Sequence, residues 1–493
     1  MFTRVLATWF ATFGFSALAA ASPWIDPGDA RSRHHIQFLV DSGAITIPSN
    51  TWPLSWASVK QGIDSLNTSR LSSAQAWSLS YLQHELEKAS HSAYTQSRSH
   101  IASSREILQG FEASSREEQE LQAGLSFTGD TFAMRVTGTF VDEPSDGKRG
   151  RADGSYLALL MDNWAVGIGA VDRWWGPGWQ SSTILSTNAR PAPGIFLRRN
   201  RTDAFENPAL SWLGQWQLTS FASELQDAKC VKDKPIMWGA RASAVPLAGL
   251  ELGLGRTAIW ADKDLADSTL VQTGELAPSC QAYNAGNPND EPNRQKQLQV
   301  TAFDVRYGLA IGQIGLALYG QVSQQRDRNN QQGSIALGGI DLSTSLFGTH
   351  SRLTLEGTNT ISGFYDQPNY NRSYDSDGYA AGYRQYGKAF GASSDSDSEV
   401  ISLAGQHYFP NGHSLTWRFS RADINRDGSA PANSAGSTFS ANRTKVDNTQ
   451  LQYRFPVTGR LMAEVGASHL DRDIVIGNET IESSLHFSLF HHW

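Results

Sequence analysis

Apolar and polar residues alternate along most of the chain, from about Arg98 to its C-terminal end. In the segment 303–309 every odd position is apolar, while the even positions are Asp304, Arg306 and Gly308. Because neighbouring side chains of a β-strand point to opposite faces, this period predicts strands with one apolar and one polar face. Many of these segments reach about 10 residues, the length that a tilted strand needs to cross a bilayer. We therefore predict a transmembrane β-barrel and not a soluble sandwich, whose strands usually have about 5 or 6 residues.

Short and long connections alternate between the predicted strands, as in outer-membrane barrels with tight periplasmic turns and long outer loops. The tight connections lie at 128–131, 162–163, 246–249, 346–350, 410–412 and 457–459. The long ones lie at 142–154, 173–191, 225–235, 262–294, 326–332, 362–398 and 425–443. Counting along this alternation predicts about 18 antiparallel strands. The last strand ends on Trp493, and this aromatic end resembles the signal that barrel insertion machinery reads.

The first 97 residues follow other patterns. Residues 1–21 hold Arg4, an apolar run at 5–18 and three alanines at the end, which are the features of a cleaved secretory signal. From residue 22 to residue 97 the apolar positions recur with helical spacing, and Asp29 is placed to cap the first helix. We expect a signal peptide at 1–21, a helical bundle at the periplasmic end of the barrel at 22–97, and the barrel itself at 98–493.

Composition limits the partners of the chain. With 41 Lys and Arg against 48 Asp and Glu, the net charge is −7, which argues against a nucleic-acid-binding surface. The charged fraction of 18% is below the roughly 25% of typical soluble proteins, as expected if lipid covers part of the surface. The two cysteines, Cys230 and Cys280, both lie in polar stretches. An oxidising compartment would allow them to form a disulfide, and the sequence leaves their pairing open.

The sequence predicts neither catalysis nor metal binding. The chain contains no HExxH, GxSxG or GxxxxGK[ST] motif. The histidine pairs His34–His35 and His491–His492 are sequence neighbours, and we expect their side chains to point apart and hold no metal. We therefore expect no enzymatic activity, no cofactor and no metal site.

Acidic residues alternate with serines near the end of the last long tyrosine-rich loop. Asp395, Asp397 and Glu399 would offer oxygen ligands to Ca²⁺, but their spacing lacks the glycine of an EF-hand loop. We therefore expect a solvated loop tip at this position.

One long connection is rich in tryptophan. The segment 172–200 places three tryptophans around a Gly-Pro-Gly turn. A tryptophan face stacks on the C–H face of a sugar ring, while Arg and Asn supply directional hydrogen bonds. We predict polysaccharide binding by Arg173, Trp174, Trp175, Trp179, Asn188 and Arg190. The alternatives are an aromatic girdle at the membrane interface or a loop that plugs the barrel.

A second connection repeats this composition with tyrosines. In 364–390, six tyrosines are interleaved with Asp, Asn and Arg residues. We predict that this loop also contacts the polysaccharide, through Tyr370, Tyr374, Tyr383, Arg384 and Tyr386. Packing of the loop against itself is the alternative.

Three stretches of the chain resemble the capsule assembly Wzi family of Gram-negative outer membranes. They are PWIDPGDARSRHHIQFLVDSGAITIPSNTWPLSW, VDEPSDGKRGRADGSYLALLMDNWAVGIGAVDRWWGPGWQSSTILSTNARP and GYRQYGKAFGASSDSDSEVISL. The resemblance implies a barrel of about 18 strands with a periplasmic helical bundle. It also implies a lectin that retains or organises capsular polysaccharide at the surface of a Gram-negative bacterium.

Taken together, these patterns favour an outer-membrane protein that binds capsular or exopolysaccharide. Its expected partners are the polysaccharide, outer-membrane lipid and barrel insertion machinery, with polysaccharide export machinery as a further candidate and no nucleic acid. The main alternative is a pore for sugars or other small solutes, since 16 to 18 strands enclose a channel unless loops fill it. A hydrolase is a third alternative, which would need a nucleophile and base or an aimed carboxylate pair.

Overall fold

The structure is a computed structural model of the chain. It describes residues 22–492 except 92, 113–114, 227–233, 262–295, 313, 328–331, 347, 364–366, 377–380, 430–441 and 477–478. The predicted signal peptide, Cys230, Cys280 and Trp493 lie outside the described residues. Among the described residues, no helix has the length and apolar character needed to span a membrane.

Eighteen antiparallel strands of 6 to 16 residues close into one barrel, so the predicted fold class is confirmed. Strand β18 pairs with β1, for example at Phe487 and Ile101, and this pairing closes the cylinder. A two-residue strand, Gly150–Arg151, extends the sheet beside β3. The barrel strands are β1 Ala93–Ala102, β2 Gln119–Thr128, β3 Phe132–Asp142, β4 Tyr156–Met161, β5 Trp164–Gly169, β6 Gly194–Arg199, β7 Gln215–Glu224, β8 Ile236–Leu247, β9 Leu250–Ala261, β10 Lys296–Ile311, β11 Ile314–Asp327, β12 Gln332–Leu346, β13 Thr349–Asn359, β14 Glu399–Tyr408, β15 Ser414–Ile424, β16 Thr444–Pro456, β17 Leu461–Leu470 and β18 Ser484–His492.

The alternation in the sequence separates a lipid face from a luminal face. On β15, Phe419 points outward and is 52% exposed, whereas the neighbouring Arg418 is buried inside. On β11, Leu318 and Val322 point outward while Gln321 is buried inside. Large apolar side chains are exposed around the whole wall, as expected of a surface that contacts lipid and not water.

The two ends of the barrel differ, and we name them by their connections. The turn end carries 129–131, 162–163, 200–214, 248–249, 312–313, 347–348, 409–413 and 457–460. The loop end carries the described parts of 103–118, 143–155, 170–193, 225–235, 360–398, 425–443 and 471–483. The predicted long connection 262–294 lies outside the described residues, as does most of the predicted connection 326–332. The predicted alternation of short and long connections therefore follows the strand order, with 200–214 as a longer connection that the sequence pattern did not reveal.

Three α-helices precede the barrel in the described chain: α1 Ala30–Asp41, α2 Trp56–Asp64 and α3 Ser73–Ala89. The Asp29 side chain accepts a hydrogen bond from the Ser32 backbone at 2.9 Å, so the predicted cap of α1 is confirmed. Ser72 and Gln75 form a capping box at the start of α3.

Helix α1 lies inside the turn end of the barrel. Every residue of α1 except Arg31 is buried, and its neighbours include β10 and β11. The Asp41 carboxylate binds Arg306 of β10, and the Arg31 guanidinium reaches the carbonyl oxygen of Gly412 in a turn. Strand β1 already begins at Ala93, so the boundary expected between residues 97 and 98 falls inside a strand.

Candidate functional site

Two segments enter the lumen and meet at its centre; we call them together the plug. They are the N-terminal segment 22–66 and the loop 170–193 between β5 and β6. Thr51–Trp52 and Trp174–Trp175 pair as a small antiparallel sheet. The Gly176 backbone N–H donates to the carbonyl oxygen of Asn50 at 2.9 Å, which extends this connection. The N-terminal segment and the loop 170–193 therefore block the lumen together.

The predicted tryptophans form the core of the plug. Trp174, Trp175 and Trp179 are each at most 1% exposed. The rings of Trp174 and Trp179 pack around Phe111, with centroids 5.4 and 5.8 Å from it. The Arg33 guanidinium lies 4.2 Å from the Phe111 ring centroid and 4.4 Å from that of Trp179.

This burial overturns one expectation. The three rings are predicted to stack on the polysaccharide, but they are buried against other aromatic rings, which remove their apolar area from water. The structure corresponds to the alternative in which the loop plugs the barrel.

Buried polar side chains of the wall hold the tryptophan loop. The Glu356 carboxylate of β13 accepts hydrogen bonds from the backbone N–H groups of Trp179 (2.7 Å) and Gln180 (3.2 Å), and from the Tyr319 hydroxyl (2.8 Å). Gln321 of β11 donates to the carbonyl oxygen of Trp175 at 2.9 Å. These contacts satisfy loop backbone groups that would otherwise be buried without partners.

The N-terminal segment is held in the same way. The Glu251 carboxylate of β9 accepts from the backbone N–H groups of Ser49 (2.7 Å) and Asn50 (3.1 Å). Arg241 of β8 donates to the Thr51 hydroxyl at 2.7 Å while it is ion-paired with Asp304. The inward polar positions of the strands therefore act as anchors for the plug.

A third segment, the loop 360–398 between β13 and β14, folds over the plug. Tyr374, Tyr383 and Arg384 are each at most 1% exposed, so these three predicted contacts are not outward-facing. Arg384 makes ion pairs with Asp375 (2.7 Å) and Asp395 (2.6 Å).

The buried tyrosines connect this loop to its surroundings. The Tyr374 hydroxyl donates to the carbonyl oxygen of Thr183 at 2.9 Å and accepts from the Ala392 backbone at 3.0 Å. The Tyr383 hydroxyl lies 2.7 Å from Thr257 Oγ1 of the wall. The hydroxyl groups of both tyrosines therefore form hydrogen bonds within the protein.

The acidic stretch of this loop is also buried. Asp395 and Asp397 are 2% and 1% exposed, so the expected solvated loop tip is wrong. Asp395 is ion-paired with Arg384, and Asp397 Oδ2 accepts from the Asn371 backbone at 2.9 Å. Burial raises the pKa of Asp397 to about 8, and the nearby carboxylates of Asp375 and Asp427 act in the same direction.

The remaining predicted sugar contacts have different environments. Asn188 is 7% exposed and donates to the carbonyl oxygen of Ala389 at 2.8 Å. Arg173 is half-buried over the Phe221 ring at 4.0 Å, and burial lowers its pKa to about 9. Tyr370 is half-buried.

Arg190 and Tyr386 come together from two different loops. The Arg190 guanidinium lies 5.0 Å from the centroid of the Tyr386 ring, and both side chains are half-buried. Arg190 also binds both oxygens of Asp153, at 2.7 and 2.9 Å, and reaches Asp146 at 2.5 Å. We call Arg190, Tyr386 and Asp153 the Arg190 cluster. It combines an aromatic face, a guanidinium group and a carboxylate.

A polar chamber of about 170 Å³ adjoins this cluster through Asp153. It lies between the plug, the loop 103–118 and the inner wall of β1 to β3, and we call it the lumen chamber. Arg116 binds Asp172 at 2.6 Å on its lining. Arg98 Nε and Glu112 Oε2 also belong to lining residues and have no hydrogen-bond partner within the described residues. Buried polar atoms of this kind mark a place where water or a ligand is expected.

Sequence reasoning did not identify the lumen chamber. Arg98 lies on β1, Glu112 and Arg116 lie on the loop 103–118, and Asp153 lies on the loop 143–155; none belongs to a recognisable motif. The polar character of the inward face was visible in the alternation, but the positions that the plug leaves uncovered depend on tertiary packing.

Three histidines converge where α1 meets the wall, so the expectation that His34 and His35 point apart is wrong. Their ring centroids are 4.9 Å apart, and ring nitrogens of both lie within 4.8 Å of His350. Helix α1 is wedged against β13, and both rings fit in the same gap.

A hydrogen-bond chain uses most of these nitrogens. Arg352 Nε donates to His34 Nδ1 (3.1 Å), His34 Nε2 then donates to His350 Nδ1 (3.1 Å), and His350 Nε2 donates to the carbonyl oxygen of Ala74 (2.9 Å). Burial and the adjacent Arg352 cation lower the pKa of His34. The same cation opposes a metal ion, so this cluster is best explained as a connection between α1, α3 and the wall.

Comparison with known proteins supports the fold and the family. The family model "Capsule assembly protein Wzi" matches residues 89–481. A Klebsiella pneumoniae protein, described as an uncharacterized 55.8 kDa protein in the cps region, is 25% identical over 325 residues, which are 63% of this chain and 60% of that protein. The chain thus matches less than two thirds of that relative's length.

A solved structure has the same architecture. Escherichia coli Wzi, described as an outer membrane protein involved in group 1 capsule assembly and a carbohydrate-binding β-barrel, aligns with a TM-score of 0.77 and 20% identity. The alignment covers 95% of this chain and 99% of that one. With the family match over most of its length, this chain belongs to the capsule assembly protein Wzi family and is an outer-membrane β-barrel of a Gram-negative bacterium.

Proposed function

We propose that this protein binds capsular or exopolysaccharide at the loop end of its barrel and helps to attach or organise it at the cell surface. The observation that carries the proposal is the filled lumen with a polar chamber beside it. The plug closes the passage, while the lumen chamber and the Arg190 cluster retain polar groups of the kind that bind sugars.

The chemistry of the chamber suits a sugar. Guanidinium groups such as Arg98 donate to sugar oxygens, and carboxylates such as Glu112 accept from sugar hydroxyls. The Tyr386 ring offers a face on which a sugar C–H surface stacks. The volume of about 170 Å³ is smaller than the ~300–1,000 Å³ of pockets for drug-sized ligands, so we expect one sugar residue of the polymer to enter.

Binding is better supported than transport or catalysis. A pore of this width requires an open lumen, and here the plug is attached to the wall by Glu251, Glu356 and the Arg306–Asp41 pair. Among the chamber carboxylates, Asp153 and Asp172 are already bound to Arg190 and Arg116. This pairing supports a role of these two carboxylates in recognition and not in general acid–base chemistry.

The different connections at the two ends support one orientation of the barrel in the membrane. We propose that the loop end faces the exterior and that the turn end, at which the helical region α1 to α3 lies, faces the periplasm. Polysaccharide export machinery would then approach the turn end, and barrel insertion machinery would act on the chain before the plug is in place.

The test compares glycan retention with ion conductance. Detergent-purified protein is expected to retain capsular polysaccharide. The variants Arg190→Ala and Tyr386→Ala are each expected to weaken this retention about tenfold, because the first loses a charge-assisted hydrogen bond and the second loses a stacking contact. Arg201→Ala is the matched control, because Arg201 is a guanidinium paired with Asp203 at the opposite end of the barrel. Steady channel currents in planar bilayers without glycan retention would instead support the pore.

A further inference from the structure

A groove of about 870 Å³ lies on the wall near the loop end, across β12 to β16. Two outward-facing glycines, Gly338 on β12 and Gly357 on β13, belong to its lining. A Cβ atom added at Gly357 would meet no other atom within 4 Å, so this position opens onto free space. The groove is therefore a depression in the lipid-facing surface and is separate from the lumen chamber.

The outward face changes from apolar to charged at the groove. On β15, Phe419 is 52% exposed, and the next outward residue towards the loop end is Arg421. On β14, Ile401 is 53% exposed, and the next outward residue in the same direction is Glu399. Two residues of a strand span about 7 Å. The groove therefore lies where the hydrocarbon of the bilayer meets its headgroups.

Cations at the groove retain hydrogen-bonding capacity. Arg421 uses Nε and Nη2 on Asp447, at 2.8 and 2.7 Å, and these two bonds leave three of its five N–H donors. Lys445 Nζ lies 4.0 Å from Asp423, beyond hydrogen-bonding distance. Exposed ion pairs contribute little to stability, so both cations are able to take an additional anion.

We propose that this groove binds a phosphorylated, acylated glycolipid of the outer leaflet. Its phosphate groups bind Arg421 and Lys445, its sugar hydroxyls donate to carboxylates such as Asp423, and an acyl chain packs over Gly357. A phosphate without acyl chains would lack the apolar contact, and a lipid without a sugar would lack the hydroxyl groups that add to the hydrogen bonds Asp423 already accepts from Arg443. The three contacts together select this class of lipid, independently of polysaccharide binding in the lumen chamber.

The experiment measures lipid retained by the full-length protein through detergent exchange, quantified by mass spectrometry. The probe is bisphosphorylated lipid A, compared with dephosphorylated lipid A and with phosphatidylglycerol. Wild-type protein is expected to retain the bisphosphorylated form about tenfold more than either comparison lipid. The variant Gly357→Trp, which fills the groove, and the double variant R421Q/K445Q are each expected to lose that preference.

The control variant is Gly138→Trp. Gly138 also faces outward into open space, but on β3, away from the groove. It is expected to retain bisphosphorylated lipid A as the wild type does, and heat-modifiable migration in SDS gels checks that every variant is folded. Equal retention by Gly357→Trp and wild type, or equal retention of the three lipids, would overturn the proposal. If the wild-type protein retains the lipid but no glycan, the result would count against the polysaccharide proposal alone.

Discussion

Arg306 of the barrel wall binds Asp41 at the end of α1 through two hydrogen bonds, Nε–Oδ1 at 3.0 Å and Nη2–Oδ2 at 2.6 Å. Arg306 also binds Asp341 at 2.8 Å, and Asp341 accepts from Arg352. The network connects the first helix to three strands of the wall. Since all four side chains are at most 2% exposed, the plug is attached by charges that water does not screen.

We predict that Asp41→Ala loosens the plug and leaves the barrel intact. Removing one member of a buried ion pair typically costs about 3–5 kcal/mol, because the remaining charge is left without its partner. The expected results are a lower melting temperature in detergent and transient currents in planar bilayers. Heat-modifiable migration of the barrel in SDS gels is expected to persist.

The control for this variant is Asp64→Ala. Asp64 forms an exposed ion pair with Lys60 in α2, and such pairs contribute about 0–1 kcal/mol. Its melting temperature and its conductance are expected to match those of the wild type. If Asp41→Ala gives no currents in the bilayer and has an unchanged melting temperature, the plug does not depend on this pair.

We predict that Trp174→Ala acts on stability and not directly on glycan binding. Trp174 is fully buried, and its ring nitrogen donates to the carbonyl oxygen of Gly178 at 3.1 Å. Truncation of a buried tryptophan typically costs about 3–5 kcal/mol. The melting temperature is expected to fall, while glycan retention per folded molecule stays near that of the wild type. Lost retention at an unchanged melting temperature would instead mean that the ring contacts the glycan.

The pH dependence of stability is expected to report on Asp397. Its pKa rises from 3.8 to about 8 on folding, so between these values the folded protein holds a proton that the unfolded chain has released. Stability from this group is therefore fully present below about pH 4 and is lost as pH rises through 8. Asp397→Asn keeps an oxygen for the Asn371 backbone and does not titrate.

The measurement compares melting temperatures of wild type and Asp397→Asn between pH 5 and pH 9. The wild type is expected to lose more stability than the variant over this interval, and the two curves are expected to converge towards acid. Parallel curves would contradict a raised pKa at this position.

Local sequence patterns predict the strands of the barrel well, because the two faces of a strand are determined by residues that are close together in the sequence. Alternation along β10 or β15 reflects which side of one strand faces lipid, and the Asp29 cap acts within three residues of itself. The loop lengths follow the same logic, since each connection joins neighbouring strands. The strand count of about 18 was therefore accessible before any tertiary contact was known.

The interior could not be predicted in this way. Trp174 and Trp179 have the composition of a sugar-stacking surface, but their actual partners, Phe111 and Glu356, lie far away in the sequence. His34 and His350 are 316 positions apart, and no local pattern brings them together. Whether an aromatic loop points outward or inward depends on the space inside the barrel, which is a property of the closed fold.

The sharpest prediction for the lumen chamber concerns Glu112. Its Oε2 has no hydrogen-bond partner among the described residues, and burial raises the pKa of this carboxyl group. If Glu112 accepts a hydroxyl of the glycan, Glu112→Ala loses a charged hydrogen bond of about 1.5–3 kcal/mol, a loss of at least tenfold in affinity. The melting temperature without glycan is expected to stay the same or rise, because a poorly satisfied buried carboxylate has been removed.

Weaker glycan retention together with an unchanged or higher melting temperature distinguishes a residue that binds the glycan from one that supports the fold. A residue that only supports the fold lowers the melting temperature when it is truncated, whereas Glu112→Ala is expected to weaken glycan retention in a protein that melts no earlier. Glu87→Ala is the matched control, since Glu87 is an exposed carboxylate of α3 at the opposite end of the barrel. Undiminished retention by Glu112→Ala would place the glycan outside the lumen chamber, and the Arg190 cluster would then be the remaining site at the loop end.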